Sequence, residues 1–149
     1  MNKLILAVGG MLLLAACSGG PQPPPFKTIA DTKLLMEAVI DPAADHVWES
    51  AGTIIDASGR TELGPKNDEE WTALRNSAVL LAESGNLLMM APRAKDEEWM
   101  RISQALIDTG EKAIRAAEAK STDRIFDVGG EIYAVCTNCH SKYLIDSAE

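Results

Sequence analysis

Apolar residues return every three or four positions in four separate stretches of this chain, and no alternating β-branched run competes with them. Positions three and four apart share one face of an α-helix, so the pattern calls for amphipathic helices that bury one stripe against each other. The first stretch runs from about Thr28 to Ala57, with Ile29, Met36, Ile40, Ala43, Val47 and Ile54 as its stripe. Trp48 and Ile55 widen that stripe, and Pro42 interrupts it as a kink or as the start of a fresh helix. Residues 58–65 (Ser-Gly-Arg-Thr-Glu-Leu-Gly-Pro) read as the loop that ends it. The second stretch opens at Asn67, a capping residue with Glu70 at the capping-box position. Trp71, Leu74, Ala78, Leu81, Gly85 and Leu88 follow, and Met90-Ala91-Pro92 stops the helix. A third begins near Asp96-Glu97-Glu98 and buries Trp99, Ile102, Leu106, Ala113 and Ala117. The fourth begins at Ser121-Thr122-Asp123 and carries Ile125, Val128, Gly129, Ile132, Cys136, Cys139 and Tyr143 on one face. Gly129-Gly130 would weaken that helix, which points to a neighbour, or something bulky and flat, lying close to it.

No Asn-Gly or Asp-Gly hairpin signal is found, and the connections are short. The expected fold is all-α: an antiparallel four-helix bundle. With 149 residues the chain is long enough to bury a core without disulfides.

Residues 1–16 have the form of an address rather than of structure. Lys3 precedes an apolar run from Leu4 to Leu14, which is too short to span a bilayer. Leu14-Ala15-Ala16-Cys17 resembles the lipobox of bacterial lipoproteins, which implies acyl chains on Cys17 and anchorage to a lipid bilayer. Residues 17–27 then form a Gly- and Pro-rich tether, and 28–149 the domain. Ser18 after the cysteine resembles outer-membrane sorting, so the protein is expected in the envelope, facing the periplasm.

The net charge is −8, from 14 basic and 22 acidic residues. Removing the leader takes away Lys3 and no acid, leaving 13 basic against 22 acidic residues, or −9. With no basic stretch in the chain, nucleic-acid binding is not expected. Such a surface repels anionic lipid headgroups and favours a cationic partner.

Cys136-Thr137-Asn138-Cys139-His140 is the motif that carries chemistry. Cys-x-x-Cys-His is the pattern of covalent c-type haem attachment. On a helix, positions i, i+3 and i+4 share a face, so both sulfurs and the imidazole point the same way. The thiols would add to the haem vinyl groups as thioethers, and His140 would offer a ring nitrogen to the iron. A thioredoxin-like redox pair would call for a βαβ context that the pattern lacks. A zinc site would need a fourth ligand that is not close at hand. A plain Cys136–Cys139 disulfide would leave the adjacent histidine without a role.

A helical bundle whose haem motif lies near the end of its last helix resembles the class II c-type cytochromes, the cytochrome c-prime family. The resemblance covers residues 28 to 145 and rests on the C-terminal Cys136-x-x-Cys139-His140, on Tyr143 after it, and on Met36 in the first helix. It implies one covalent haem c and His140 as proximal iron ligand. Redox proteins of the envelope would be its partners, and the family's habit of pairing subunits allows a homodimer. Leu144 departs from the pattern, since relatives often carry a basic residue just after the aromatic.

The sixth iron position separates two functions. A thioether there gives an electron carrier, whereas an apolar side chain leaves the iron open to nitric oxide or carbon monoxide. By the resemblance Met36 is the sixth ligand of a low-spin haem. As plain core filling Met36 would leave Leu34 or Leu35 facing the iron instead. His46 is the rival ligand, but Asp45 and Glu49 flank it in a polar arc that suits a solvated histidine. Met89 and Met90 read as core or loop contacts, and Trp48, Trp71 and Trp99 as bundle packing. Arg93, Arg101 and Lys142 are candidates to pair with haem propionates. No nucleophile–base pairing or phosphate loop is found, so an electron-transfer protein is expected rather than an enzyme. A gas-binding protein and a haem-bearing subunit of an envelope complex are the alternatives.

Overall fold

The computed structural model describes residues 25–144. The leader, Cys17 and most of the tether lie outside these residues, so the lipidation site is not part of the description. The chain is mostly helical, at 69% helix, with one small two-stranded sheet.

The first helical stretch is built in three pieces: α1 (Thr32–Leu35), a π-helical turn (Met36–Ile40) and α2 (Asp41–Glu49). Asp31 caps α1 by accepting from the Leu34 N–H at 2.8 Å. Pro42, in the first turn of α2, explains the widened turn before it. Proline has no N–H for the carbonyl four residues back and its ring crowds that carbonyl. The helix responds by lengthening its register, and the Asp41 N–H reaches back five residues to the Met36 carbonyl.

The stretch then ends earlier than its spacing predicts. Residues 52–63, read as helix and loop, form an antiparallel hairpin, β1 (Gly52–Asp56) and β2 (Gly59–Leu63), with Gly52 paired to Leu63 and Asp56 to Gly59. Gly52 and Gly59 have φ of 138° and 129°, values that favour glycine. The Asp56 carboxylate closes the turn by accepting from the Ser58 N–H at 2.8 Å and from its hydroxyl at 2.5 Å. Thr53-Ile54-Ile55, bracketed by glycines, was the available strand signal. Ile54 and Ile55 are accordingly exposed, as is Ile29 in the coil before α1, and none of the three belongs to the core.

The remaining helices follow the expected spacing closely. They are α3 (Asp68–Leu88), α4 (Glu97–Glu118) and α5 (Thr122–Tyr143). Each begins where a short polar side chain accepts a backbone N–H: Asn67 from Glu70, Asp96 from Trp99 and Ser121 from Arg124. The Glu70 carboxylate returns the favour one residue early, accepting from the Lys66 N–H at 2.6 Å. Leu74, Ala78, Leu81, Gly85 and Leu88 of α3 are buried, as are all five stripe residues of α4. The helix α3 packs on α2 and α4, and α5 packs on α4 and α2.

Glycine sets the closest helix contact. A Cβ on Gly85 would lie 2.5 Å from Ile107, and one on Gly110 would lie 2.7 Å from Ala82. The backbones of α3 and α4 therefore approach at both levels closer than alanine permits. On the other side, Gly129 accommodates the Trp48 indole of α2, whose Nε1–H donates to the Gly129 carbonyl at 3.0 Å. Gly130 has no atom within 4 Å of its open position.

Candidate cofactor site

The line where α2 meets α5 does not close along its whole length. A cleft of about 590 Å³ opens there, within the ~300–1,000 Å³ usual for small-molecule and cofactor sites. Met36, Ile40, Asp41, Asp45 and Trp48 line it from the first helical stretch. Leu88, Ile102, Ser103 and Leu106 of α3 and α4 make its floor, and Tyr133, Cys136, Cys139 and His140 line it from α5. The two cysteines and the histidine therefore share a face, as their spacing requires, and Met36 borders the same space from a different helix.

Local backbone positions each of these groups. Met36 is the first residue of the π-helical turn, so the irregularity caused by Pro42 lies where the chain borders the cleft. The end of α5 is held against the start of α4 by Tyr143. Its hydroxyl donates to the Asp96 carboxylate at 2.5 Å, and its ring stands edge-on to Trp99 with centroids 5.0 Å apart. Trp99 is anchored in turn by donating from Nε1 to the Leu88 carbonyl at 2.9 Å. Lys95 lies over both rings, 5.2 Å from Trp99 and 5.4 Å from Tyr143, and Lys142 lies 5.4 Å from the Tyr143 ring.

Both thiols are free and half-buried. Burial pushes the Cys136 thiol up to about 11, helped by the neighbouring Cys139 and Asp41. Cys139 is also raised by burial, and Lys95 works against that shift. Asp96 is held below the usual carboxylate range, chiefly by the Tyr143 hydroxyl and then by the Trp99 N–H. Tyr143 is pushed up to about 12 by desolvation first and by its bond to Asp96 second.

Several expected candidates lie elsewhere. Leu35 is buried in the core and Leu34 is exposed; neither borders the cleft. His46 is not a solvated surface side chain: it is half-buried, with Nδ1 2.8 Å from the Ser77 hydroxyl of α3, away from the cleft. Met89 and Met90 do not border it either. Arg93 is not a surface cation, being 5% exposed, and donates to the carbonyls of Leu87 at 2.7 Å and Ala30 at 2.8 Å. Arg101 pairs with Glu98. Asp41, Asp45 and Ser103 border the cleft without having been singled out by pattern.

The residues present fit a flat, apolar, iron-bearing group. The cleft is large enough, Leu88, Ile102 and Leu106 give it an aliphatic lining, and it gathers two thiols and one imidazole from α5 with one thioether from the first helical stretch. Among the described residues no three His, Cys, Asp or Glu side chains gather tightly enough to hold an ion by themselves. Among them, too, no helix is long and apolar enough to cross a membrane. No family model, curated protein or solved structure matches the chain.

Proposed function

We propose that the protein is a monohaem c-type cytochrome that transfers electrons in the bacterial envelope, tethered to the membrane through acyl chains on Cys17. The helices would form an antiparallel four-helix bundle of the class II type, closed around one haem c near the end of α5. The observation that carries this reading is the single cleft on which Met36, Cys136, Cys139 and His140 converge.

When bound, the haem supplies the redox chemistry, an electron gained or lost at iron. The chain's own residues do the rest. Cys136 and Cys139 would hold the porphyrin through thioethers, and burial keeps both thiols protonated at neutral pH in the haem-free chain. His140 would offer a ring nitrogen to the iron. Met36 would offer a thioether as a further iron ligand, one that favours an electron carrier over a gas-binding site. Leu88, Ile102 and Leu106 would present an apolar, water-excluding lining to the group. The Tyr143–Asp96 bond and the edge-on contact with Trp99 hold the end of α5, the turn that carries His140, against the start of α4.

Carbon monoxide added to the ferrous protein tests the ligand assignment. Wild type should bind it slowly or not at all, and Met36→Ala should bind it readily. Rapid binding by wild type would overturn Met36 ligation in favour of the gas-binding alternative.

A further inference from the structure

A second recess adjoins the cleft, about 320 Å³ in volume, lined by Trp48, Ala51, Phe126, Gly129, Gly130 and Tyr133 among others. Trp48 and Tyr133 belong to both spaces and meet edge-on with centroids 6.3 Å apart. Aromatic residues are only 5% of this chain, yet three of them wall one recess. Two stand out into solvent, Phe126 and Tyr133, each 64% exposed. Nothing beyond its chain neighbours and its own helix backbone lies within 4 Å of the open position over Gly130, so the surface between these rings is accessible. Contiguous exposed apolar surface rimmed by charge marks an interaction site more often than ordinary surface does.

The charges along the cleft and the recess beside it are mostly of one sign. Asp41, Asp45 and Glu49 follow one another at four-residue intervals along α2, and all three are exposed. Asp123 and Asp127 flank Phe126 on α5. None of these five carboxylates has an ion-pair partner among the described residues. Across 41–51 and 123–137 the only lysine or arginine is Arg124.

We infer that this α2–α5 seam is the docking surface for a redox partner whose contact face carries lysine or arginine around an apolar centre. The inference rests on the electron-carrier reading above, and the argument for the occupant is charge complementarity. Unpaired carboxylates attract a cationic face and speed its encounter. The aromatic recess then offers the desolvated centre that binding needs. A partner seated there would meet Trp48 and Tyr133, the wall shared with the cofactor cleft.

The test uses tris(1,10-phenanthroline)cobalt(III), a cation with apolar aromatic faces, against ferricyanide, an anion, as oxidants of the haem-loaded, lipidated protein in detergent. The cobalt rate should fall about tenfold between low and physiological salt while the ferricyanide rate rises. Asp41→Asn/Asp45→Asn/Glu49→Gln should remove most of that salt dependence. The matched change Glu69→Gln/Glu83→Gln/Asp108→Asn on α3 and α4 should not. Equal effects of the two triple variants would overturn the proposal, because net charge alone would then explain the rates. A second arm needs no haem. Amide and indole spectra of the haem-free chain, titrated with the cobalt complex, should shift at Trp48, Phe126, Gly130 and Tyr133. Shifts elsewhere would overturn it too, as would the same shifts produced by raising protein concentration or by adding phosphatidylglycerol vesicles. A chain that carries no haem would silence the kinetic arm and leave the spectral arm intact, so the two failures are distinguishable.

Discussion

Cys136 faces Asp41 across the cleft, and the surroundings of that one thiol have a measurable consequence. Burial lifts it to about 11 from an ordinary value of 9.0. Between those values the folded chain holds a proton that the unfolded chain has released, so the thiol's contribution to stability has a definite sign. It is fully present below pH 9 and is lost as pH rises toward 11. In haem-free protein, alkylation of Cys136 by iodoacetamide should therefore be slow at pH 8 and reach its midpoint near 11, with thermal stability falling across the same window. A midpoint at or below 9 would contradict the buried placement of the sulfur. At this scale the sequence disclosed what depends on fixed local spacing. Cys136, Cys139 and His140 were legible because three and four positions always share a helix face. The Tyr143–Asp96 bond, the lysines beside it, the inward turn of Arg93 and the His46–Ser77 contact were not. Each depends on two helix ends or distant segments meeting, which no local period encodes.

Elements were legible where spacing and caps agreed. Asn67 accepts the expected N–H, Asp96 and Ser121 cap the helices that the spacing starts at them, and the stripe of α4 and most of those of α3 and α5 are buried. The first stretch failed beyond Ser50 because two isoleucines happened to continue a helical period that Gly52 had already ended. Pro42 announced an irregularity, but not that it would take the form of a π-helical turn with Met36 at its start. The glycines make the packing testable. Gly85→Ala and Gly110→Ala force a methyl group into contacts of 2.5 and 2.7 Å, and each should cost about 1–3 kcal/mol. Gly130→Ala meets nothing and should stabilise α5 by up to about 1 kcal/mol through helix propensity. Thermal unfolding of the three variants reads the order directly. A rise in melting temperature for Gly110→Ala would contradict the close approach of α3 and α4.

Across the whole molecule, the helices bury one apolar core and leave open the one seam that bears the cysteines. The hairpin lies outside that core: Ile54 and Ile55 are exposed, and nothing in the cleft lining comes from residues 52–63. Shortening the hairpin should consequently leave cofactor loading unchanged, as absorbance of purified protein per unit mass would report. The ligand and partner assignments both require an iron porphyrin bonded to Cys136 and Cys139. The most direct measurement is the alkaline pyridine haemochrome spectrum of the mature protein, purified from cells that assemble c-type cytochromes, taken together with a free-thiol assay. The expected result is a haemochrome with both vinyl groups saturated, at one haem per chain, with Cys136 and Cys139 unreactive and the signal lost in Cys136→Ser/Cys139→Ser. Free thiols at both positions and no haemochrome would contradict it.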